Sequence, residues 1–242
     1  MRIFLAGAAG AIGRRLTPLL VRAGHEVTGT TRSADRAAWL EGAGAKPVVL
    51  DVFDAAAVQA AVVAARPEVL IHQLTDLPQR LDPARLAEAL ERNARLRVEG
   101  TRNLVAAGRA AGIQRLIAQS ICFVYAPGPE PHLEADPLNL AATGAEAVSV
   151  RGVAALERLV TETPGFGGLV LRYGRLYGPG TWSEAPHGPA PVHVDAAAEA
   201  ALLAIRNGRP GIYNIAEDDG AVSIERARRE LGWNPAFRLP AA

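Results

Sequence analysis

The chain has 242 residues, 49% hydrophobic and 21% charged, which is close to the globular average and enough to bury a full core in one large domain or one and a half. Its 26 Lys and Arg nearly balance 25 Asp and Glu, and a net charge of +1 argues against nucleic acid or an acidic membrane surface as the main partner. One cysteine, Cys122, excludes an internal disulfide framework and fits a reducing cytoplasm.

The opening MRIFLAGAAGAIGRR has the basic start and apolar run of a signal peptide. Its three glycines would make a poor hydrophobic helix, however, and Arg14 and Arg15 follow directly. No segment approaches the roughly 20 apolar residues of a membrane span, so a cytoplasmic protein is expected. A strand is predicted at RIFLA (2–6), then a helix near 11–23, a strand at EVTGT (26–30) and a helix near 34–42. KPVVL (46–50) precedes a helix near 54–65 with Asp54 as N-cap, and EVLIH (68–72) precedes a long helix over 82–111. RLIAQ (115–119) leads to a helix over 142–162, and GLVLR (168–172) to one near 196–206 with Asp195 as N-cap. GIYNI (211–215) and a helix near 222–231 close the series, with Gly24, Gly112 and Gly208 just past helix ends. Near-continuous apolar strands alternating with helices imply a parallel sheet covered on both faces, a doubly wound α/β fold. The Pro/Gly-rich stretches 126–139 and 177–191 each follow a strand, on the side where such sheets bind ligands.

RIFLA runs straight into GAAGAIGRRL, which sets Gly7, Gly10 and Gly13 at GxxGxxG spacing before a helix that opens with Ala11 and Ile12. One glycine permits the tight turn, another lets backbone approach a pyrophosphate, and the third lets helix and strand pack closely. The helix N-terminus then offers free N–H groups to the phosphates. A dinucleotide site follows from this loop in an alternating βα chain. The second strand ends in Thr31 and Arg32 with no carboxylate for a ribose 2′-hydroxyl. A guanidinium beside a hydroxyl suits a 2′-phosphate, so NADP is favoured over NAD. Asp51 and Val52, after the third strand, are placed at the adenine, although a helix-initiating turn explains Asp51 equally.

With these motifs the chain resembles the short-chain dehydrogenase/reductase superfamily, in its extended or atypical epimerase/dehydratase-like branch. The likeness is carried by GAAGAIG, DVFD (51–54), EVLIHQLT (68–75), EGTRNLVAAGRAAGIQRLIAQS (99–120), FVYAPG (123–128), LRYGRLYGPG (171–180), PVHVDAAAEAALLAI (191–205), GIYNIAED (211–218) and ARRELGWNP (227–235). It implies a Rossmann-type sheet over residues 1–180 and a reduced C-terminal substrate lobe over 181–242 that returns a last strand to the main sheet. It also implies a nicotinamide cofactor flanked by His72 and Leu74, with Arg172 beside it, and a small sugar-like or carbonyl substrate whose reacting oxygen meets Ser120. His193 and Asp195 fall near the substrate lobe, where a packed strand histidine and an N-cap are the favoured readings. A homodimer through the helices near 82–111 and 142–162 is a further expectation of the resemblance.

Members of that superfamily carry YxxxK on the helix after the fifth strand, where tyrosine exchanges a proton with substrate and lysine lowers its pKa and holds the nicotinamide ribose. A glutamate usually follows four residues on, and Glu157 matches it. Counting back puts Val153 at the lysine position and Ser149 at the tyrosine position, and the chain's one lysine is Lys46. A positioned acid or base contributes roughly 10²–10⁴-fold in rate, or about 3–5 kcal/mol. Tyr125, Tyr173 and Tyr177 are the hydroxyls that could substitute. No His/Cys/Asp/Glu group has metal spacing and there is no GxSxG elbow. Two readings stay open: an NADP-preferring oxidoreductase or epimerase-like enzyme with a non-standard proton donor, and a non-catalytic NADP(H)-binding sensor or scaffold.

Overall fold

The computed structural model describes residues 1–78 and 85–240. In chain order its strands are β1 (Arg2–Ala6), β2 (Glu26–Thr31), β3 (Lys46–Val49), β4 (Val69–His72), β5 (Arg115–Ile121), β6 (Gly167–Tyr173), β7 (Arg175–Tyr177), β8 (Pro191–His193) and β9 (Gly211–Ile215). The helices are α1 (Ala11–Arg22), α2 (Ala34–Gly42), α3 (Ala55–Ala65), α4 (Leu86–Arg95), α5 (Thr101–Ala111), α6 (Gly144–Glu162) and α7 (Val194–Leu203). Seven strands form one parallel sheet in the order β3-β2-β1-β4-β5-β6-β9. The doubly wound α/β reading therefore holds. The chain winds one way from β1 to β3 and then restarts at β4 on the other side of β1. That reversal opens a crevice beyond the carboxyl ends of β1 and β4.

Strand alternation sorts the core into two layers. Ile3 and Leu5 of β1, Ile71 of β4 and Leu169 and Leu171 of β6 pack against α1 and α7. Phe4, Ala6, Leu70, Leu116, Ala118 and Val170 face α3, α5 and α6. All are nearly solvent-free, and burial at ~25 cal/mol per Å² of apolar surface is the main force holding the layers.

Three local features depart from the sequence expectation. The helix predicted over 82–111 has its first three positions outside the described residues. Its remainder is α4 and α5 joined by a π-helical turn, Leu96–Gly100, which swings Arg97 inward. β7 and β8 form a separate parallel pair, not predicted, that brackets the 177–191 loop stretch at its two ends. Finally, Asp195 is not the cap of α7. His193 is, its ring accepting the Asp195 N–H at 3.1 Å, while Asp195 itself takes Arg15 Nε at 2.6 Å and the Leu239 N–H at 3.1 Å.

Candidate active-site cleft

The crevice is a cleft of about 1100 Å³, above the roughly 300–1000 Å³ typical of small-ligand sites, so it has room for a dinucleotide and a small second molecule. Its first wall is the loop after β1. Gly7 has φ +87°, and a Cβ there would lie 2.7 Å from the Gln73 carbonyl oxygen. A Cβ on Gly13 would come within 2.2 Å of the Gly7 carbonyl oxygen, so α1 can rest on the loop only because this position is glycine. Thr17 Oγ1 donates to the Ala8 carbonyl at 3.2 Å and Thr30 Oγ1 accepts the Gly7 N–H at 3.3 Å, which pins the turn. Gly10 caps α1 without a side-chain bond, and the first turn holds no acid. The first-turn N–H groups and the positive helix end are thus left to the cleft. These features fit the pyrophosphate of a dinucleotide. Gly7, Gly10, Ala11 and Ile12 line the cleft, whereas Gly13 does not: its part is the close packing.

Thr31, Arg32, Asp51 and Val52 line the cleft's β2–β3 end, joined by Arg36. Arg32 is 61% exposed and its Nη2 donates to Asp76 Oδ1 at 3.1 Å. An exposed pair of this kind contributes at most ~1 kcal/mol, so a phosphate can compete for the guanidinium. Asn103 Nδ2 holds the Val52 carbonyl at 2.9 Å, and Asp51 Oδ1 accepts the Phe53 N–H at 3.0 Å, so Asp51 does shape its own turn.

Between the two ends, Leu74 lines the cleft but His72 does not. His72 is buried among the helices below β4. Its Nδ1 accepts the Leu74 N–H at 3.2 Å, so the neutral ring carries its proton on Nε2 and donates to Thr101 Oγ1 at 3.1 Å. Burial, with the charge of Arg97 adding to it, lowers its pKa to about 4 and keeps it neutral. Its work is to hold the strand end that presents Gln73 and Leu74.

Tyr173 lines the cleft, but Ser120, Tyr125 and Tyr177 do not, and neither does Arg172. The cause is strand parity. Ser120 shares a face of β5 with Leu116 and Ala118, and Arg172 shares one of β6 with Val170, so both point at α6. There Ser120 Oγ donates to Glu157 Oε1 at 2.8 Å, and Arg172 forks onto both Glu157 oxygens at 2.8 and 2.7 Å. Arg172 Nη1 also donates to Tyr125 Oη at 2.8 Å, and Tyr125 donates to Asn214 Oδ1 at 2.6 Å. Burial pushes the Tyr125 hydroxyl up to about 12. Tyr177 bonds Glu217 and accepts from Arg238 Nη2 at 2.8 Å, beyond the cleft wall. These groups tie β5, β6, α6 and the C-terminal segment together.

Helix α6 contributes no side chain to the cleft. Val153 is fully buried with Val150 and Val124, and Ile121 packs on this cluster while its other side lines the cleft. Ile121 thus covers the cluster that holds Val153, the lysine position, while Ser149, at the tyrosine position, is half-buried outside that cluster. Arg97 reaches in from the π-helical turn and donates to the Ser149 carbonyl at 3.5 Å. It is 7% exposed and makes no ion pair among the described residues. Of the three candidate tyrosines, Tyr173 is the one that lines this end. It accepts from Gln73 Nε2 at 3.2 Å, and burial carries its pKa well above the ordinary tyrosine range. Gln73 Oε1 and Arg175 Nε are buried there without partners among the described residues.

Sequence reasoning missed Gln73, Arg97, Ile121 and Arg175. The parity of RLIAQSI was a readable signal that Ser120 faces α6 and Ile121 the crevice. No local pattern announced the π-helical turn that aims Arg97.

A family model described as "NAD dependent epimerase/dehydratase family" matches residues 3–191. The 3-diazoavenalumate denitrifying reductase of a Streptomyces species is 43% identical over 267 residues, which take in 100% of this chain and 85% of the relative. The dTDP-4-dehydrorhamnose reductase of Streptomyces griseus is 33% identical over 182 residues, 74% of this chain and 51% of the relative. Among solved structures, the UDP-glucose 4-epimerase of Thermotoga maritima with UDP-glucose superposes with a TM-score of 0.78 at 18% identity, over 98% of this chain and 94% of that one. The Thermus thermophilus UDP-glucose 4-epimerase complex with NAD gives 0.73 at 23% identity, over 97% and 85%. The structural likeness speaks for the fold, and the family match and the 43% relative speak for kinship. The chain is an NAD(P)-dependent oxidoreductase-like enzyme belonging to the NAD dependent epimerase/dehydratase family.

Proposed function

We propose that the chain is an NADP(H)-dependent reductase of a small organic molecule that works without a proton from a tyrosine–lysine pair. The observation that carries this reading is an intact dinucleotide loop beside a helix α6 that gives the cleft no side chain. The N–H groups of Ala11 and Ile12 would hold the pyrophosphate, Thr31, Arg32 and Arg36 the 2′-phosphate, and Gln73 and Leu74 the nicotinamide ribose. Bound in this way, the reduced dinucleotide supplies a hydride.

A matched substrate carbon accepts hydride and releases a leaving group, so it asks no proton of the protein. An aryldiazonium carbon meets that condition: a C–H bond forms, the C–N bond breaks, and dinitrogen leaves with that bond's electron pair. The relative named for a diazo compound and for denitrification supports this choice. A carbonyl substrate would instead need a proton at oxygen, which Tyr173, with its raised pKa and no adjacent lysine, supplies poorly.

The test offers an aryldiazonium, a ketone and UDP-glucose with NADPH deuterated at the transferred position. Deuterium in the arene above a protein-free control, with none in the other products, is the expected result. Turnover of the ketone or of UDP-glucose instead would overturn the reading. The sensor reading rests on the same empty face of α6, and NADPH binding without any transfer would favour it. The homodimer also stays a proposal, supported by α4 packing along α6 with Leu140 exposed nearby. Light scattering at the monomer mass of 25.4 kDa would reject it.

A further inference from the structure

The strand order puts the ends of β5 and β6 across the cleft from Thr31 and Arg32, and the wall there has a different chemistry. Phe123 (42%) and Trp182 (46%) are the exposed aromatic members of the hydrophobic set among the described residues, and both line this cleft. Trp182 is fixed in place, its Nε1–H donating to the Pro78 carbonyl at 2.8 Å, so its ring is what it offers. Arg175 lies with its guanidinium carbon 4.6 Å from the Phe123 ring centroid. Its side chain makes no hydrogen bond or ion pair among the described residues, and Nε is buried without a partner. Gly188 makes room for it, since a Cβ there would sit 2.9 Å from that Nε. Among the described residues, the carboxylates lining the cleft are Asp51 and Asp76, and Asp76 is engaged by Arg32. Among the described residues that line it, the β5–β6 end therefore has arginine charge and no acid to answer it. A partly buried guanidinium without a counter-charge is costly unless a ligand completes it.

We infer that this end of the cleft binds a flat aromatic carboxylate, its ring against Phe123 and Trp182 and its carboxylate forked on Arg175. The inference deepens the proposed function, resting on the dinucleotide filling the other end, and it names the substrate as an aromatic acid. Rings left open to solvent favour an aromatic ligand over a sugar, and a planar guanidinium favours a carboxylate.

The probe is cinnamate, titrated calorimetrically into the NADP⁺-saturated protein, with cinnamamide, cyclohexanecarboxylate and UDP-glucose as comparisons. Cinnamate is expected to bind, with the amide and the saturated acid each weaker by about tenfold or more. Arg175→Gln should bring cinnamate down to the level of the amide and leave NADP⁺ affinity unchanged, with Arg175→Lys in between. Trp182→Leu changes an exposed residue and should weaken cinnamate about tenfold in a folded protein. Cinnamate binding that is indifferent to Arg175→Gln or Trp182→Leu, or equalled by the amide, overturns the inference. UDP-glucose binding more tightly than cinnamate overturns it too, by assigning this end to a sugar nucleotide. If the native protein fails to bind NADP⁺, the reading of the cleft fails, and the same titration on free protein still decides the aromatic subsite.

Discussion

Val153→Lys puts a lysine where the superfamily pattern has one, and its outcome shows whether that position still belongs to the site. Val153 is fully buried, packed with Val124 and Val150 beneath Ile121. A lysine there must either bury an ammonium or lose its proton. Losing the proton at pH 7 against a solution pKa of about 10.4 costs about 4–5 kcal/mol. Overpacking by the longer side chain adds about 1–3 kcal/mol. Together these approach the whole stability of a domain, about 5–15 kcal/mol. The folded-state pKa is depressed, so the cost of losing the proton is full near neutral pH and fades as pH rises toward 10. Urea unfolding at pH 7 and pH 9.5 should show a large loss that shrinks by about 3 kcal/mol at the higher pH. Native stability with no such pH trend would mean that position 153 opens on the cleft, and the screened helix described above would be wrong.

Four further outcomes are expected. Gly13→Ala sets a Cβ 2.2 Å from the Gly7 oxygen, and the forced shift of the loop should weaken NADPH binding by about 100-fold in a fluorescence titration; unchanged affinity would remove the loop from the site. Arg32→Ala should weaken NADPH by about tenfold while leaving NADH nearly untouched, and equal losses would count against a 2′-phosphate at this end. Glu157→Gln leaves Arg172 buried without its counter-charge and should cost about 3–5 kcal/mol in unfolding while the folded fraction keeps native NADPH affinity; affinity lost without stability would make Glu157 a binding residue. His72 has a pKa lowered from 6.5 to about 4, so the stability it lends is complete above pH 6.5. That contribution is lost as pH falls toward 4, by about 3 kcal/mol. His72→Asn should flatten that part of the pH–stability curve, and a curve with the native slope would refute the neutral assignment.

Most of the fold was legible because its signals are local. RIFLA and GIYNI coincide with β1 and β9 to the residue, Asp54 caps α3 by accepting the Ala57 N–H, and Gly24, Gly112 and Gly208 all have positive φ. The glycine loop was legible for the same reason, since turn, cap and helix start lie within a few residues. The reaction end was harder because its geometry is made between elements. Ser120 and Arg172 are paired neighbours across β5 and β6, and both turn to α6 because Glu157 waits there. Arg97 enters the cleft through a π-helical turn that no spacing rule announces. The empty tyrosine and lysine positions were visible by counting back from Glu157, but that Ile121 packs over the Val153 cluster is a fact of packing.

The most direct test of the cleft is the crystal structure of the protein with NADPH. The pyrophosphate is expected on the Ala11 and Ile12 N–H groups, the 2′-phosphate beside Arg32, and the nicotinamide end against Ile121 and Arg97 with no α6 side chain touching it. A nicotinamide ribose in contact with Ser149 or Val153, or a dinucleotide bound outside this cleft, would contradict that placement.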